Sequence, residues 1–301
     1  NRDKFAEAAA LSDSEIATAK RLLESQPDST LALWGMSSAL GLKASILEKR
    51  RMDAERLVIG REEIGFLRRL QQLSPDTKQT QKRLVNCLIA VSDVQSAVHP
   101  ELKQSSADMM REAVSIAGHL MQSDPTEVDA RVLYIRALCV LSSALTRVHD
   151  EGGATVAMEK AASAAEDFVE ECGHCPEAVL AQVRALHYAV RIAIESSDDN
   201  AVRLRGRATL LRARRFDAAT PSVESKRLLC RVLLDLPDAS IAECDEAVDL
   251  ARWVVAQASR DRITNIRTLA ETLACAGEQS EADRVMADLL ASISQSEAAL
   301  L

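Results

Sequence analysis

The residues best spaced for chemistry are two cysteines near the middle of the chain, Cys172 and Cys175, in the segment Cys-Gly-His-Cys-Pro. Two thiols at this spacing can form a redox-active pair when the first lies at a helix N-terminus, whose partial positive charge stabilises a thiolate. Here the pair follows a helical run that ends in Glu170 and Glu171, which disfavours a thiolate. No βαβ pattern surrounds it, and no second ligand pair stands at zinc-site spacing. We therefore interpret this segment as a turn between helices.

A second chemical feature is a stretch crowded with arginine. Guanidinium groups bind carboxylate and phosphate through two parallel hydrogen bonds, so the stretch could form an anion patch. A solvated helix surface that pairs with acids on neighbouring helices is the alternative. The stretch contains Arg203, Arg205, Arg207, Arg212, Arg214 and Arg215. Helical spacing places Arg203, Arg207 and Arg214 on one face, and these three are the candidate anion-binding residues.

The remaining chemistry-bearing residues do not assemble into a recognisable catalytic set. The sequence has no HExxH motif, no Gly-rich phosphate loop and no GxSxG elbow. The histidines show no i,i+4 pair; they are His99, His119, His149, His174 and His187. We accordingly predict that the chain is not an enzyme and that it has no cofactor, no metal site and no catalytic residue.

Prolines divide the chain into segments of similar length. They are Pro27, Pro75, Pro125, Pro176 and Pro221, separated by 48, 50, 51 and 45 residues. Proline ends a helix but fits the first turn of the next one, and the polar residues beside these prolines are suited to capping. The prolines therefore indicate joints between helices.

Apolar residues stand at matching distances from these prolines, which supports a true internal repeat. Nine residues after each proline stand Met36, Leu84, Tyr134, Ala185 and Cys230. Thirteen residues after stand Leu40, Leu88, Leu138, Ala189 and Leu234. Eleven residues before stand Ile16, Ile64, Val114, Ala165 and Leu210. Each repeat unit is thus predicted to be a pair of antiparallel helices, a first helix after one proline and a second helix before the next.

The last unit, Arg262 to Leu290, carries the most specific pattern. Ile266, Leu269 and Leu273 lie on one helix face, Gly277 breaks the helix, and Ala282 begins the inner stripe of a second helix. This pattern resembles a tetratricopeptide (TPR) repeat, and the longer units resemble the extended TPR-type repeats of multidomain bacterial signalling proteins. The resemblance implies an all-α, right-handed solenoid of about six antiparallel helix pairs, a TPR-like superhelix.

We expect one repeat domain over residues 1–301, forming a fragment of a longer protein. Its predicted units are 1–26 (partial), 27–74, 75–124, 125–175, 176–220, 221–260 and 261–292. Pro237 is expected to end one first helix early, and the chain is expected to fray after Ser292.

Composition narrows the choice of partners. The formal net charge of −8 argues against nucleic acid, because binding to phosphates needs concentrated positive charge. No run of 18 or more apolar residues is present, so we expect no membrane partner. The seven cysteines, several of them on apolar helix faces, favour a reducing cytoplasm.

The first helices of the middle units are apolar nearly all round. In TPR proteins the first helices line a concave groove, which implies partner-binding positions at Val85, Ile89, Val132, Ile135, Val183, Leu186 and Val190. Farther along, the same face turns charged at Arg231 and Arg267. Two alternatives stay open: an apolar groove that binds a partner helix or peptide, or a face that the helices bury against each other.

The function that these features predict is a non-catalytic protein–protein interaction scaffold, the regulatory part of a larger signalling protein. Its partner would be a protein or peptide, or another domain of the same longer chain. The rival functions are an enzyme whose site is assembled across helices, and a solenoid that binds anions or nucleic acid through the arginine-rich helix 203–215.

Overall fold

The computed structural model of the protein describes residues 2–172, 175–195, 199–236, 239–257 and 262–298. Over these ranges the regular structure is helical throughout, with no strand, which confirms the all-α prediction. The helices are α1 (Arg2–Ser25), α2 (Thr30–Lys49), α3 (Asp53–Leu73), α4 (Lys78–Val98), α5 (Lys103–Ser123), α6 (Val128–Arg147), α7 (Glu151–Glu171), α8 (Pro176–Glu195), α9 (Asp199–Ala219), α10 (Val223–Leu234), α11 (Ile241–Gln257), α12 (Arg262–Cys275) and α13 (Gln279–Ala298). A 3₁₀ turn, Pro100–Leu102, joins α4 to α5.

The helices follow the intervals between the joint prolines. Each predicted unit after the first contains two helices, a first helix (α2, α4, α6, α8, α10 or α12) and a second helix (α3, α5, α7, α9, α11 or α13). The described part of the chain therefore contains six helix pairs preceded by α1. As predicted, the first helix α10 is short, with 12 residues, and ends at Leu234; Pro237, which was expected to end it, lies outside the described residues. The expectation that the chain frays after Ser292 is wrong, since α13 continues to Ala298.

Local chemistry accounts for several helix ends. The Ser29 side chain accepts a hydrogen bond from the Ala32 amide and so caps α2. Ser222 and Ser225 form a reciprocal capping box at the start of α10. Gly277 has a φ of +84°, the left-handed conformation that glycine adopts without a Cβ clash, and it separates α12 from α13.

The helices pack into two compact units, residues 1–164 and 165–301. In unit 1 each of the helices α1 to α5 packs against the next, and the first helices α4 and α6 also touch. Its core is built from the repeated apolar positions, with Met36, Leu84 and Leu88 fully enclosed. These three stand in the columns predicted from the proline spacing, so the columns do mark the inward helix faces.

Unit 2 has its own apolar clusters. One cluster joins α8, α9 and α10 through Val183, Leu210 and Leu233. Another joins α10, α11 and α12 through Cys230, Val248 and Leu273. Leu210 and Cys230 again occupy predicted columns.

Helix α2 is long and apolar enough to cross a membrane by composition alone. In the structure it packs between α1 and α3, and Leu33, Met36 and Leu40 are buried by these protein neighbours. The apolar character of α2 is therefore accounted for by its place in the core of unit 1.

Candidate functional site

The predicted groove residues lie mainly inside the protein. Five of the seven side chains are at most 2% exposed: Val85, Ile89, Ile135, Val183 and Val190. Val132 and Leu186 are half-buried. The five enclosed side chains therefore belong to the packed core, which was the second alternative for this face. Their helices contact protein on several sides. Only Val132 and Leu186 keep a surface that a partner could touch.

The two charged positions of the predicted groove come together through a shared acid. Arg231 on α10 donates a hydrogen bond to Glu271 on α12 at 3.0 Å. Arg267 lies one helical turn before Glu271, with its Nε 3.4 Å from the carboxylate. The two arginines predicted for this face form one ion-pair group with Glu271.

The predicted anion patch is largely neutralised by neighbouring acids. Arg207 Nη1 lies 2.5 Å from Glu243 Oε1, and Arg214 pairs with Glu246. The hydrogen bond to Glu246 raises the pKa of Arg214 above its usual range. The side chain of Arg203 lies outside the described part of the structure. Arg207 and Arg214 therefore bridge α9 to α11, as the solvated-surface alternative expects.

The cysteine segment offers little support for redox or metal chemistry. Cys172 and Cys175 are half-buried between α7 and α8, and Gly173 and His174 lie outside the described residues. Among the residues that the structure describes, no group of three or more His, Cys, Asp or Glu side chains could hold a metal ion. Elsewhere, burial raises the pKa of the Cys139 thiol to about 12, so this thiol stays protonated and packs as a small apolar group.

A cleft that the sequence analysis did not identify opens in unit 1. It has a volume of about 400 Å³. We call it the α2–α4 cleft, because α2 and α4 form its walls and α3 its floor. Over the described residues α4 packs against α6, whereas the backbones of α2 and α4 do not pack against each other. The cleft therefore lies where two successive first helices separate.

A buried ion pair holds the walls of the cleft in place. Glu63, on α3, is only 5% exposed and accepts a hydrogen bond from Arg83 Nε at 3.0 Å. From α4, Arg83 reaches α2, where it donates to the Ser37 carbonyl at 2.8 Å and to the Ser38 hydroxyl at 3.2 Å. Its guanidinium also lies 5.4 Å from the centre of the Trp34 ring. One arginine thus connects all three helices.

Two glycines make room for this arrangement. A Cβ at Gly41 would lie 2.5 Å from Arg83 Nη2, and a Cβ at Gly60 would lie 2.5 Å from Val91 Cγ2. Any larger residue would push against the arginine or against α4. Gly41 and Gly60 therefore allow the close approach that places Arg83 across the cleft.

The cleft combines an apolar interior with a polar rim. Leu57, Val91 and Val94 are among the buried side chains that line it. At the rim, Glu48 and Arg56 form an ion pair at 3.0 Å, and Leu42 is 37% exposed. Such a surface can accept an apolar side chain while rim groups form hydrogen bonds to a peptide.

The sequence carries one signal for this ion pair, a charged residue directly before an apolar column residue on each of two helices. Glu63 stands directly before Ile64, a column residue, and Arg83 directly before Leu84, another column residue. Two opposite charges beside core positions could have suggested a buried pair. The separation of α2 from α4 depends on packing and has no local signature.

No protein-family model matches the chain, and no curated protein is similar to it in sequence. Among solved structures, the chain is similar to BtubC (BKLC) from P. vanneervenii, with a TM-score of 0.53 and 12% identity over 84% of this chain and 91% of that one. It is also similar to TTC0263, a thermophilic TPR protein of Thermus thermophilus, with a TM-score of 0.47 and 13% identity over 74% of this chain and 96% of that one. The likeness to BtubC concerns the fold alone, and it agrees with the all-α architecture of helix pairs over the described residues.

Proposed function

We propose that this chain is a non-catalytic protein-binding scaffold whose α2–α4 cleft binds a helical or extended segment of a partner protein. The observation that carries the proposal is the preformed cleft, with its apolar interior and a network of internal hydrogen bonds that holds its walls. A site whose walls are already fixed loses little conformational entropy on binding. The position of the cleft between two first helices agrees with the groove that a TPR-like architecture implies.

The chemistry of the cleft selects the kind of partner segment. Arg83 and Glu63 already satisfy each other, so the interior favours an apolar anchor over a charged one. Exposed Ser45 and Asn86 at the edge can form hydrogen bonds to a peptide backbone. We therefore propose a partner segment with one or two large apolar side chains and no requirement for a particular net charge.

The wider setting is part of the same proposal. A binding scaffold without its own chemistry fits the regulatory part of a larger signalling protein in the cytoplasm, where a separate protein or another domain of the same chain supplies the partner segment. The apolar surface left at Val132, on α6 of the same unit, would then extend the binding area beyond the cleft. Of the rival functions, the anion-binding helix is weakened because Arg207 and Arg214 are already paired. The assembled enzyme site has no observation in its favour.

A pull-down with matched leucine variants tests the cleft. Leu42 and Leu31 both lie on α2, but only Leu42 lines the cleft, and Leu31 is 75% exposed. Leu42→Lys should abolish partner capture, while Leu31→Lys should retain it, and both variants should melt near the wild-type temperature. Equal capture by the two variants would contradict the cleft as the binding site. Turnover by the isolated chain that one point mutation abolishes would instead favour the enzyme.

A further inference from the structure

Unit 2 contains a larger cavity between two second helices. It has a volume of about 650 Å³ and is formed by the end of α7, the start of α8 and the end of α9. Its apolar lining includes Val169, Pro176, Val179 and Phe216. We call it the α7–α9 slot. The slot lies between second helices, whereas the cleft of unit 1 lies between first helices, so it is a separate surface from the proposed binding site.

The two long walls of the slot carry opposite charges. The α7 wall presents Glu166 and Glu170, one helical turn apart, and the α9 wall presents Arg212 and Arg215. Glu166, Glu170 and Arg215 are exposed, and Arg212 is half-buried. Within the described part of the chain, no ion pair or hydrogen bond joins any of these four side chains to another residue. The α7 wall of the slot is therefore negative and the α9 wall positive, and the charges on both walls can pair with a ligand.

Elsewhere in the described structure, ion pairs connect one second helix to the next. Arg68 on α3 bridges to Glu112 on α5 at 2.5 Å. In unit 2, Arg207 and Arg214 bridge α9 to α11 in the same way. Across the slot, acids on one second helix and arginines on the next are present but remain apart. The slot thus has the residue types that an ion pair between α7 and α9 would need, but the space between the acids and the arginines is open.

An apolar centre with charged edges is the composition of a protein interface. Small-molecule sites usually place a few polar groups inside an enclosed apolar cavity, whereas interfaces surround an apolar centre with a polar rim. A uniformly charged ligand would be attracted by one wall of the slot and repelled by the other. A ligand that satisfies both walls must carry a cation on one side and an anion on the other.

We propose that the α7–α9 slot docks an amphipathic helix of a partner protein, with its apolar stripe on Val169, Val179 and Phe216. One flank of that helix is basic and faces Glu166 and Glu170, and the other flank is acidic and faces Arg212 and Arg215. Charge complementarity of this kind selects the partner and its direction more than it adds raw affinity. The two opposite walls thus specify which way the helix runs.

Three synthetic helical peptides with one leucine stripe test the charge requirement. In the first, glutamates flank one side of the stripe and lysines the other; in the second both flanks are glutamate, and in the third both are lysine. Fluorescence anisotropy on the full chain should show the mixed peptide binding about tenfold more tightly than either uniform peptide, and less tightly in high salt. Equal affinity for the three peptides, or no binding of the mixed one, would overturn the proposal.

Charge-reversal variants assign the binding to the slot. With Arg212→Glu and Arg215→Glu both walls are acidic, so binding of the mixed peptide should fall about tenfold and the all-lysine peptide should become the preferred ligand. Reversing all four charges should restore binding of the mixed peptide, because a helix that runs in the opposite direction meets the same pairing. Failure of this restoration would contradict the role of the two walls.

The same helix supplies a matched control. Arg207→Glu also reverses a charge on α9, but Arg207 faces Glu243 on α11 and does not line the slot. It should leave peptide affinity unchanged, and a loss of affinity equal to that of the slot variants would overturn the assignment. Leu42→Lys in unit 1 should likewise leave peptide binding intact, so failure of the cleft and failure of the slot are distinguishable.

Discussion

The α2–α4 cleft and the α7–α9 slot differ in how their charged side chains are paired. In the α2–α4 cleft, Arg83 and Glu63 satisfy each other, and Arg83 also binds backbone and hydroxyl groups, so the charges stabilise the protein itself. In the α7–α9 slot, Glu170 and Arg215 have no such partner among the described residues. The charges of the cleft hold the binding site in shape, whereas the charges of the slot can select a ligand. Removing the first kind should cost stability, and removing the second kind should cost only affinity.

The largest effect on stability is expected from Glu63→Ala. It leaves the guanidinium of Arg83 without its carboxylate in a partly buried position, and breaking a buried pair typically costs about 3–5 kcal/mol. Because Arg83 can still reach water and the Ser37 carbonyl, we expect a loss of about 2–4 kcal/mol in urea unfolding.

Two controls sharpen this prediction. Glu62→Ala changes the exposed neighbour on α3 and should alter the free energy of unfolding by less than about 0.5 kcal/mol. Glu170→Ala in the slot should be equally mild. A cost for Glu170→Ala as large as that for Glu63→Ala would remove the distinction between the two openings.

A smaller loss is expected from Gly60→Ala. The new methyl group would meet Val91 Cγ2 at 2.5 Å and force α3 away from α4, an overpacking that costs about 1–3 kcal/mol. Gly65→Ala on the same helix meets nothing within 4 Å and should stabilise the protein by about 0.5–1 kcal/mol through helix propensity. A Gly60→Ala variant that melts as high as wild type, or as high as Gly65→Ala, would show that the close approach at Gly60 is not needed.

The smallest effect concerns acid stability in unit 2. Hydrogen bonds from the Ser240 backbone and from Arg207 hold the pKa of Glu243 below its usual range. A lowered folded-state pKa contributes stability that is present above the unfolded value of about 4.3 and is lost as pH falls through the folded value. Wild type should therefore exceed Glu243→Gln in stability near pH 6, and the difference should shrink on acidification below about pH 4.

A matched substitution checks that the stability contribution belongs to the paired acid. Asp245 lies on the same helix, is exposed, and is joined to no described residue by an ion pair. Because Asp245→Asn removes no ion pair, it should alter the free energy of unfolding near pH 6 by less than about 0.5 kcal/mol. If the difference in stability between wild type and Glu243→Gln grew on acidification, a lowered pKa of Glu243 in the folded state would be contradicted.

The helix pairs could be predicted from sequence because their signals are local. Pro75 ends one helix and precedes the next, and Leu84 and Leu88 repeat at helical spacing on the inward face of α4. The binding surfaces could not be predicted in the same way. Val85 and Ile135 are apolar whether they line a groove or a core, and only the packing of neighbouring helices decides between the two.

The cleft depends on approaches between distant residues. Gly41 and Arg83 are 42 positions apart in the chain, and nothing near either residue indicates that they meet. The arginine-rich helix shows the same limit, since helical spacing grouped Arg207 with Arg214 but could not show that Glu243 and Glu246 neutralise them. Arg212 and Arg215, which spacing assigned to other faces, are the arginines left available.

Site-specific photo-crosslinking tests the central claim, that a partner segment occupies the α2–α4 cleft. A photoreactive phenylalanine would replace Ser45, which is exposed in the cleft, and in a matched control Thr155, which is exposed on α7 within the same unit. We predict that Ser45 crosslinks to one defined segment of the partner that wild type captures, that Thr155 does not, and that Leu42→Lys abolishes the product. Equal crosslinking from both positions, or an unchanged product with Leu42→Lys, would contradict binding in the cleft.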